Sequence, residues 1–102
     1  MTIEKTQNGN QLCLKVSGRL DTSTAPQLEA VINDDLANVT DLTFDCADLE
    51  YISSAGLRVL LKAQKKMNVV GTMKVIHVPR QPAKVLRAAN LHRMMTITYE
   101  EG

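Results

Sequence analysis

Tyr51-Ile52-Ser53-Ser54-Ala55-Gly56-Leu57-Arg58-Val59-Leu60-Leu61 joins two kinds of pattern. Ahead of the serines runs a segment shaped like a buried strand. Behind them Leu57, Leu60, Leu61, Gln64 and Met67 recur at helical spacing, so a helix is expected over Ser54–Asn68. Arg58, Lys62, Lys65 and Lys66 fall away from that stripe and read as a solvated face or the rim of an interface. Gly71 is expected to be a left-handed C-cap. A strand leading through a short loop into a helix is the unit from which α/β domains are built.

The same alternation of patterns extends both ways. Asp41-Leu42-Thr43-Phe44-Asp45-Cys46 alternates with period two and reads as a strand that leads through residues 47–52 to the serines. Upstream, Leu28, Val31, Ile32, Leu36 and Val39 share one helical face. Thr24 and Gln27 fit a capping box there, and Pro26 fits a first turn. Before that helix, Leu12, Leu14 and Val16 alternate with Cys13, Lys15 and Ser17. With Ile3–Thr6 and the Asn8-Gly9-Asn10 turn they make a β-hairpin, and Gly18–Asp21 is its exit. Downstream lie a strand at Thr72–Val78 and a helix bracketed by Pro79 and Pro82 that carries Val85, Leu86 and Ala89. Thr96–Tyr99 reads as a last strand or the lead-in to a turn. The order β-β-α-β-α-β-α implies right-handed crossovers and parallel pairing after an antiparallel start. The expected fold is α/β, a mixed β-sheet with helices packed mainly on one face, in a single domain over residues 1–102.

Composition narrows the function. The 102 residues can bury a core, hiding roughly two-thirds of the unfolded surface. Twelve basic and eleven acidic residues leave a formal net charge of +1, which offers no electrostatic case for nucleic acid or an anionic membrane. Phe44, Tyr51 and Tyr99 are the only aromatic residues, too few for a base-stacking platform. No apolar run is long enough to span a bilayer, and Met1–Lys5 has no signal core. A cytoplasmic protein is expected, with Cys13 and Cys46 as free thiols within strands, although one disulfide between them is conceivable.

The serine pair admits two readings. A serine at a helix N-terminus ordinarily caps it, accepting a hydrogen bond from a first-turn N–H. A hydroxyl there can also carry a phosphate, because free N–H groups and the helix dipole favour an anion at that position. Gly56 in the first turn lowers helix propensity by about 1 kcal/mol and so points to a close approach by a neighbour. Catalysis is disfavoured. A nucleophile elbow needs glycine where Ile52 stands, and nothing in the sequence brings His77 or His92 to Ser54. The two histidines and two cysteines lack metal-ligand spacing, and Gly18 is too isolated for a phosphate loop. No metal, no cofactor and no enzyme activity are expected. Met94-Met95 reads as adaptable packing.

The stretch 51–61, together with Gly18-Arg19-Leu20-Asp21-Thr22-Ser23-Thr24-Ala25, resembles the two signature segments of the bacterial anti-sigma-factor antagonists, the STAS domains. The likeness runs over essentially the whole chain in matching element order. It implies a protein that binds an anti-sigma factor, a serine kinase of the histidine-kinase-like ATPase type, and so frees a sigma factor. Phosphorylation of the antagonist by that kinase would break the complex, and a serine phosphatase would restore it. The family pattern is often Asp-Ser-Ser-Gly, with its first serine as acceptor. Laying Gly56 on the family glycine puts Ser54 on the acceptor, Ser53 on the aspartate and Ala55 on the second serine. Ser53 thus removes a carboxylate and supplies a rival hydroxyl, so Ser53 stays the alternative acceptor. The resemblance implies a contact surface of Asp21, Thr22, Ser53, Ser54, Gly56, Leu57 and Arg58. Asp21 is equally well read as a turn residue. Relatives of the same fold serve lipid-transport complexes, stress-signalling assemblies and anion transporters. A binding subunit of such a complex, without a phospho-switch, is the competing reading.

Overall fold

A computed structural model describes residues 1–100. The hairpin β1 (Thr2–Asn8) and β2 (Gln11–Leu20) opens the chain, in antiparallel register from Thr2↔Ser17 to Asn8↔Gln11. Gly9, at φ +63°, lets the chain reverse within two residues. There follow α1 (Ala25–Asp34), β3 (Asp41–Asp45), β4 (Leu49–Ile52), α2 (Ser54–Val70), β5 (Thr72–Val78), α3 (Arg80–Ala88), a 3-10 turn (Leu91–Arg93) and β6 (Thr96–Tyr99). The final segment is therefore a strand.

The sheet runs β1-β2-β3-β5-β6, and every pairing after the hairpin is parallel. Leu12, Leu14, Val16, Leu42, Phe44, Met73 and Val75 all point to one face and are buried beneath the helices. The alternate residues Cys13, Lys15, Thr43, Asp45 and Lys74 are half-buried or exposed on the other. The period-two pattern in β2 and β3 thus describes a sheet covered on one side only. One connected core joins both strands and helices.

The expected element order lacked β4. Residues 49–52 form a strand that pairs with the far end of β2, Leu20 opposite Ile52. β2 pairs with β3 over Gln11–Lys15 and with β4 over Gly18–Leu20. Gly18 makes the change of partner possible. Its φ of +91° creates a bulge, and its N–H donates to the Asp48 carbonyl at 3.0 Å. Four residues with two buried, Leu49 and Ile52, leave little pattern to read in sequence. The free edge of β4 is closed by a side chain. Gln81 Oε1 accepts the Ile52 N–H at 3.0 Å, and Gln81 Nε2 donates to the Ile52 carbonyl at 3.4 Å.

Other expectations are corrected by local geometry. α1 ends at Asp34, so Leu36 and Val39 lie beyond it, and Val39 is buried on the approach to β3. Ala89 lies beyond α3 and is exposed. The buried stripe of α2 is Gly56, Val59, Leu60, Ala63, Gln64 and Met67, with Leu57 and Leu61 half-buried at its margin. Gly71 is extended, at φ 176°, and is not a left-handed cap. Its role is steric: a Cβ there would lie 1.9 Å from the Thr40 carbonyl oxygen. Cys13 and Cys46 are both free. Cys13 lies half-buried on the bare face, while burial pushes the Cys46 thiol up to about 12 and leaves it unreactive.

Candidate functional site

Two strand ends build the site. Leu20 and Ile52 close the β2–β4 ladder, and the Ser53 N–H extends it by donating to the Leu20 carbonyl at 2.9 Å. The next residues, Asp21 and Ser54, therefore leave neighbouring strands at the same edge. This is the carboxyl end of a parallel pair, where α/β domains present their sites. α2 can begin so close to these ends because residue 56 is glycine. A Cβ at Gly56 would lie 2.7 Å from Leu20 Cγ and 2.8 Å from Ile52 Cγ1. Gly56 is buried, and it sets the approach of the helix.

The two serines have different surroundings. Ser53 is the N-cap, with extended backbone at φ −107° and ψ 177°. Its hydroxyl makes no cap hydrogen bond, and Oγ is buried without a partner. Ser54 is the first helical residue and is exposed. Neither serine is thus the side-chain cap that an N-terminal serine ordinarily supplies. The helical ladder begins with the Leu57 N–H on the Ser53 carbonyl at 3.1 Å, so the N–H groups of the first turn ahead of it stay open. A buried hydroxyl without a partner contributes nothing to offset its desolvation. Ser53→Ala is therefore expected to be neutral or to stabilise by up to about 1 kcal/mol, where removing a working cap would cost about as much. Equilibrium urea denaturation separates the two signs.

Asp21 is committed to its own loop. Its Oδ1 accepts from the Ser23 hydroxyl at 2.8 Å, the Ser23 N–H at 3.0 Å and the Thr24 N–H at 3.2 Å. The Ser23 hydroxyl and these N–H groups hold the carboxyl below the usual range against partial desolvation, so it stays ionised at neutral pH. The expected Thr24–Gln27 capping box does not form. Thr24 Oγ1 instead donates to the Arg19 carbonyl at 2.8 Å, and the Asp21 side chain serves the entrance of α1. Arg19 stacks over the Tyr51 ring at 4.1 Å and approaches Asp21 Oδ2 at 3.9 Å.

Next to this edge, α1 and α2 enclose an open groove of about 360 Å³ lined by Thr22, Pro26, Glu29, Ala55, Arg58 and Lys62 among others. Thr22 and Arg58 are exposed and share the groove, whose head is one residue past Ser54. Leu57 is half-buried against the core. Lys62, which read as part of a solvated stripe, spans the groove to Glu29 Oε1 at 2.7 Å. Lys66 reaches Asn33 at 3.4 Å, while Lys65 is exposed. The Glu29 pairing was not legible, because nothing local to residue 29 reports which helix lies across from it. His77 pairs with Asp45 at 3.1 Å on β5, His92 is exposed in the 3-10 turn, and neither is hydrogen-bonded to a serine. Among the described residues no three His, Cys, Asp or Glu side chains come together as a metal site. Nor is any helix among them long and apolar enough to cross a membrane.

This arrangement has relatives. The family model for the STAS domain matches residues 2–102. The chain belongs to the STAS domain family. Solved structures repeat its fold. An anti-sigma factor antagonist from Mycobacterium paratuberculosis superposes with a TM-score of 0.87 at 22% identity, covering 95% of this chain and 84% of that one. The Bacillus cell-fate determinant SpoIIAA in its phosphorylated form gives 0.75 at 18%, over 94% of this STAS domain and 90% of SpoIIAA. A sulfate transporter family protein from Wolinella succinogenes gives 0.73 at 12%, over 92% and 80%. At these identities the likeness shows the shared fold. No curated protein sequence matches the chain.

Proposed function

We propose that this STAS domain is an anti-sigma-factor antagonist: a cytoplasmic, non-catalytic binding module whose partner is a serine kinase of the histidine-kinase-like ATPase type. It docks through the edge formed by Asp21, Thr22, Ser53, Ser54 and the first turn of α2, where Leu57 and Arg58 lie and Gly56 sets the helix in place. The kinase transfers phosphate from ATP to Ser54, which releases the partner, and a serine phosphatase reverses the step.

The observation that carries this reading is the contrast between the hydroxyls. Ser54 is exposed at the helix start, while Ser53 Oγ is buried. In the transfer the Ser54 oxygen bonds to the γ-phosphorus, ADP leaves, and the hydroxyl proton passes to a base on the kinase. Only a hydroxyl that projects from the surface can enter another protein's active site for that step. The product carries a charge of about −1.5 to −2 beside open first-turn N–H groups, so the domain tolerates it without unfolding. The change is one of surface charge and bulk, which suits a reversible interaction switch.

A second reading is favoured by one residue. Ser53 stands where the family pattern often carries aspartate, and no side chain hydrogen-bonds Ser54 among the described residues. A STAS-type binding subunit of a lipid-transport or stress-signalling complex would need no phosphorylation there. Pull-downs from lysate of the native host with Ser54→Ala and Ser54→Asp baits decide between them. A kinase-like anti-sigma factor held by the alanine bait, and recovered at least about tenfold less by the aspartate bait, is the expected result. Equal recovery of one partner, or recovery of a lipid-transport ATPase, would establish the second reading.

A further inference from the structure

The groove beside Ser54 holds two cations in different states. Lys62 is tied to Glu29 at 2.7 Å. Arg58 is exposed and, among the described residues, has no carboxylate within ion-pair distance. Arg19, the other arginine at this edge, is stacked on Tyr51 at 4.1 Å. Arg58 is thus the uncommitted guanidinium of the site.

Its position relative to Ser54 is set by the helix. Ser54 is the first residue of α2, and Arg58 follows four residues later on the same helix. Side chains at that spacing lie one above the other, with Cβ atoms about 5–6 Å apart. Helical side chains lean toward the N-terminus, so a long residue covers the turn that precedes it. Arg58, which lines the groove, is therefore within reach of the turn that Ser54 opens. A guanidinium presents a planar fork that matches two phosphate oxygens, which an ammonium does not. Lys62, eight residues beyond Ser54 and already paired, is a poorer candidate on both counts.

We infer that Arg58 is a docking contact for the partner while Ser54 is free, and that a phosphate on Ser54 captures Arg58 in an intramolecular latch. The switch then acts twice. It places negative charge at the edge and withdraws the one free guanidinium from the groove. No backbone movement is needed, because both groups sit on one rigid helix. This inference rests on the reading that Ser54 is the phosphorylated residue.

The test uses the full chain with phosphoserine installed at position 54 during synthesis, with and without Arg58→Gln. Arg58 is exposed, so the variant is expected to fold, and circular dichroism checks this. The first readout is the 31P titration of the phosphate, which requires no partner. An opposite charge in contact favours the dianion, so Arg58→Gln is expected to raise the second phosphate pKa by about one unit. An unchanged titration overturns the latch. The second readout is calorimetric affinity for the kinase-type anti-sigma factor. Arg58→Gln is expected to weaken binding of the unphosphorylated chain about tenfold, and to shrink the fold-loss on phosphorylation by a similar factor. The same fold-loss in both backgrounds overturns the role of Arg58 in release. If no such partner binds the unphosphorylated chain, the proposed function fails, while the titration still decides the latch.

Discussion

Replacing Gly71 by alanine is expected to destabilise the domain by about 3 kcal/mol, an overpacking cost at the upper end for one added methyl group. The new Cβ would sit 1.9 Å from the Thr40 carbonyl oxygen and 2.6 Å from the Thr40 carbonyl carbon. These are backbone atoms, and they cannot swing aside as a side chain does. Thr40 is pinned on both sides: its N–H donates to the Asn10 carbonyl at 2.9 Å, and its own carbonyl accepts the Thr72 N–H at 2.9 Å. Relief would separate the starts of β3 and β5. Gly71 is extended, a conformation any residue adopts, so the effect is a clash and not lost conformational freedom. Equilibrium urea denaturation reads it as a lower midpoint at unchanged slope. A loss under about 1 kcal/mol would show that the β3–β5 junction yields more than its hydrogen bonds suggest.

Leu20→Ala is expected to cost about 3 kcal/mol and to loosen the functional edge as well. Leu20 is fully buried at the end of β2, its carbonyl accepts the Ser53 N–H, and its side chain forms the seat into which Gly56 lowers α2. Removing it leaves a void under the first helical turn. Faster amide exchange at Leu57, whose N–H closes that turn on Ser53, is the local signature. Gly56→Ala provides the coupling test. In the parent the new Cβ meets Leu20 at 2.7 Å, which outweighs the helix-propensity gain of about 1 kcal/mol. In the Leu20→Ala background half of that obstruction is gone, so the same substitution is expected to cost less or to stabilise. Strict additivity would mean that Leu20 does not set the helix approach.

These expectations explain why parts of the molecule were legible and others were not. β3 could be read because each inward residue is apolar and each outward one is not, and β5 because it keeps the same alternation from Thr72 to Val75 before breaking it at Ile76, a record of a sheet with one covered face. α2 could be read because its apolar stripe is long, though its phase was misjudged by one position at the margin. Leu57 and Leu61 are hydrophobic, but Gly56 and Ala63 are what the core presses against. β4 was missing from the expected order because a four-residue strand spans only two periods, its buried residues are its two ends, and its partner is defined by a bulge in a distant strand. The capping box at Thr24 failed because the Thr24 hydroxyl is turned to the Arg19 carbonyl, the Thr24 N–H is taken by Asp21 Oδ1, and the Gln27 N–H bonds to the Thr24 carbonyl.

The sequence by itself determined the order of strands and helices apart from β4 and the closing β6, the one-sided sheet, and a serine pair at the start of α2 to be matched with the Gly18–Ala25 segment. Such features are local, written in spacing that any reader of periodicity can count. Only the tertiary structure decided which hydroxyl faces water, what Gly56 and Gly71 make room for, and that Arg58 is left uncommitted. Each of those depends on atoms far away along the chain. Burial, close approach and charge pairing are properties of the assembled surfaces, and a residue's neighbours in sequence do not report them.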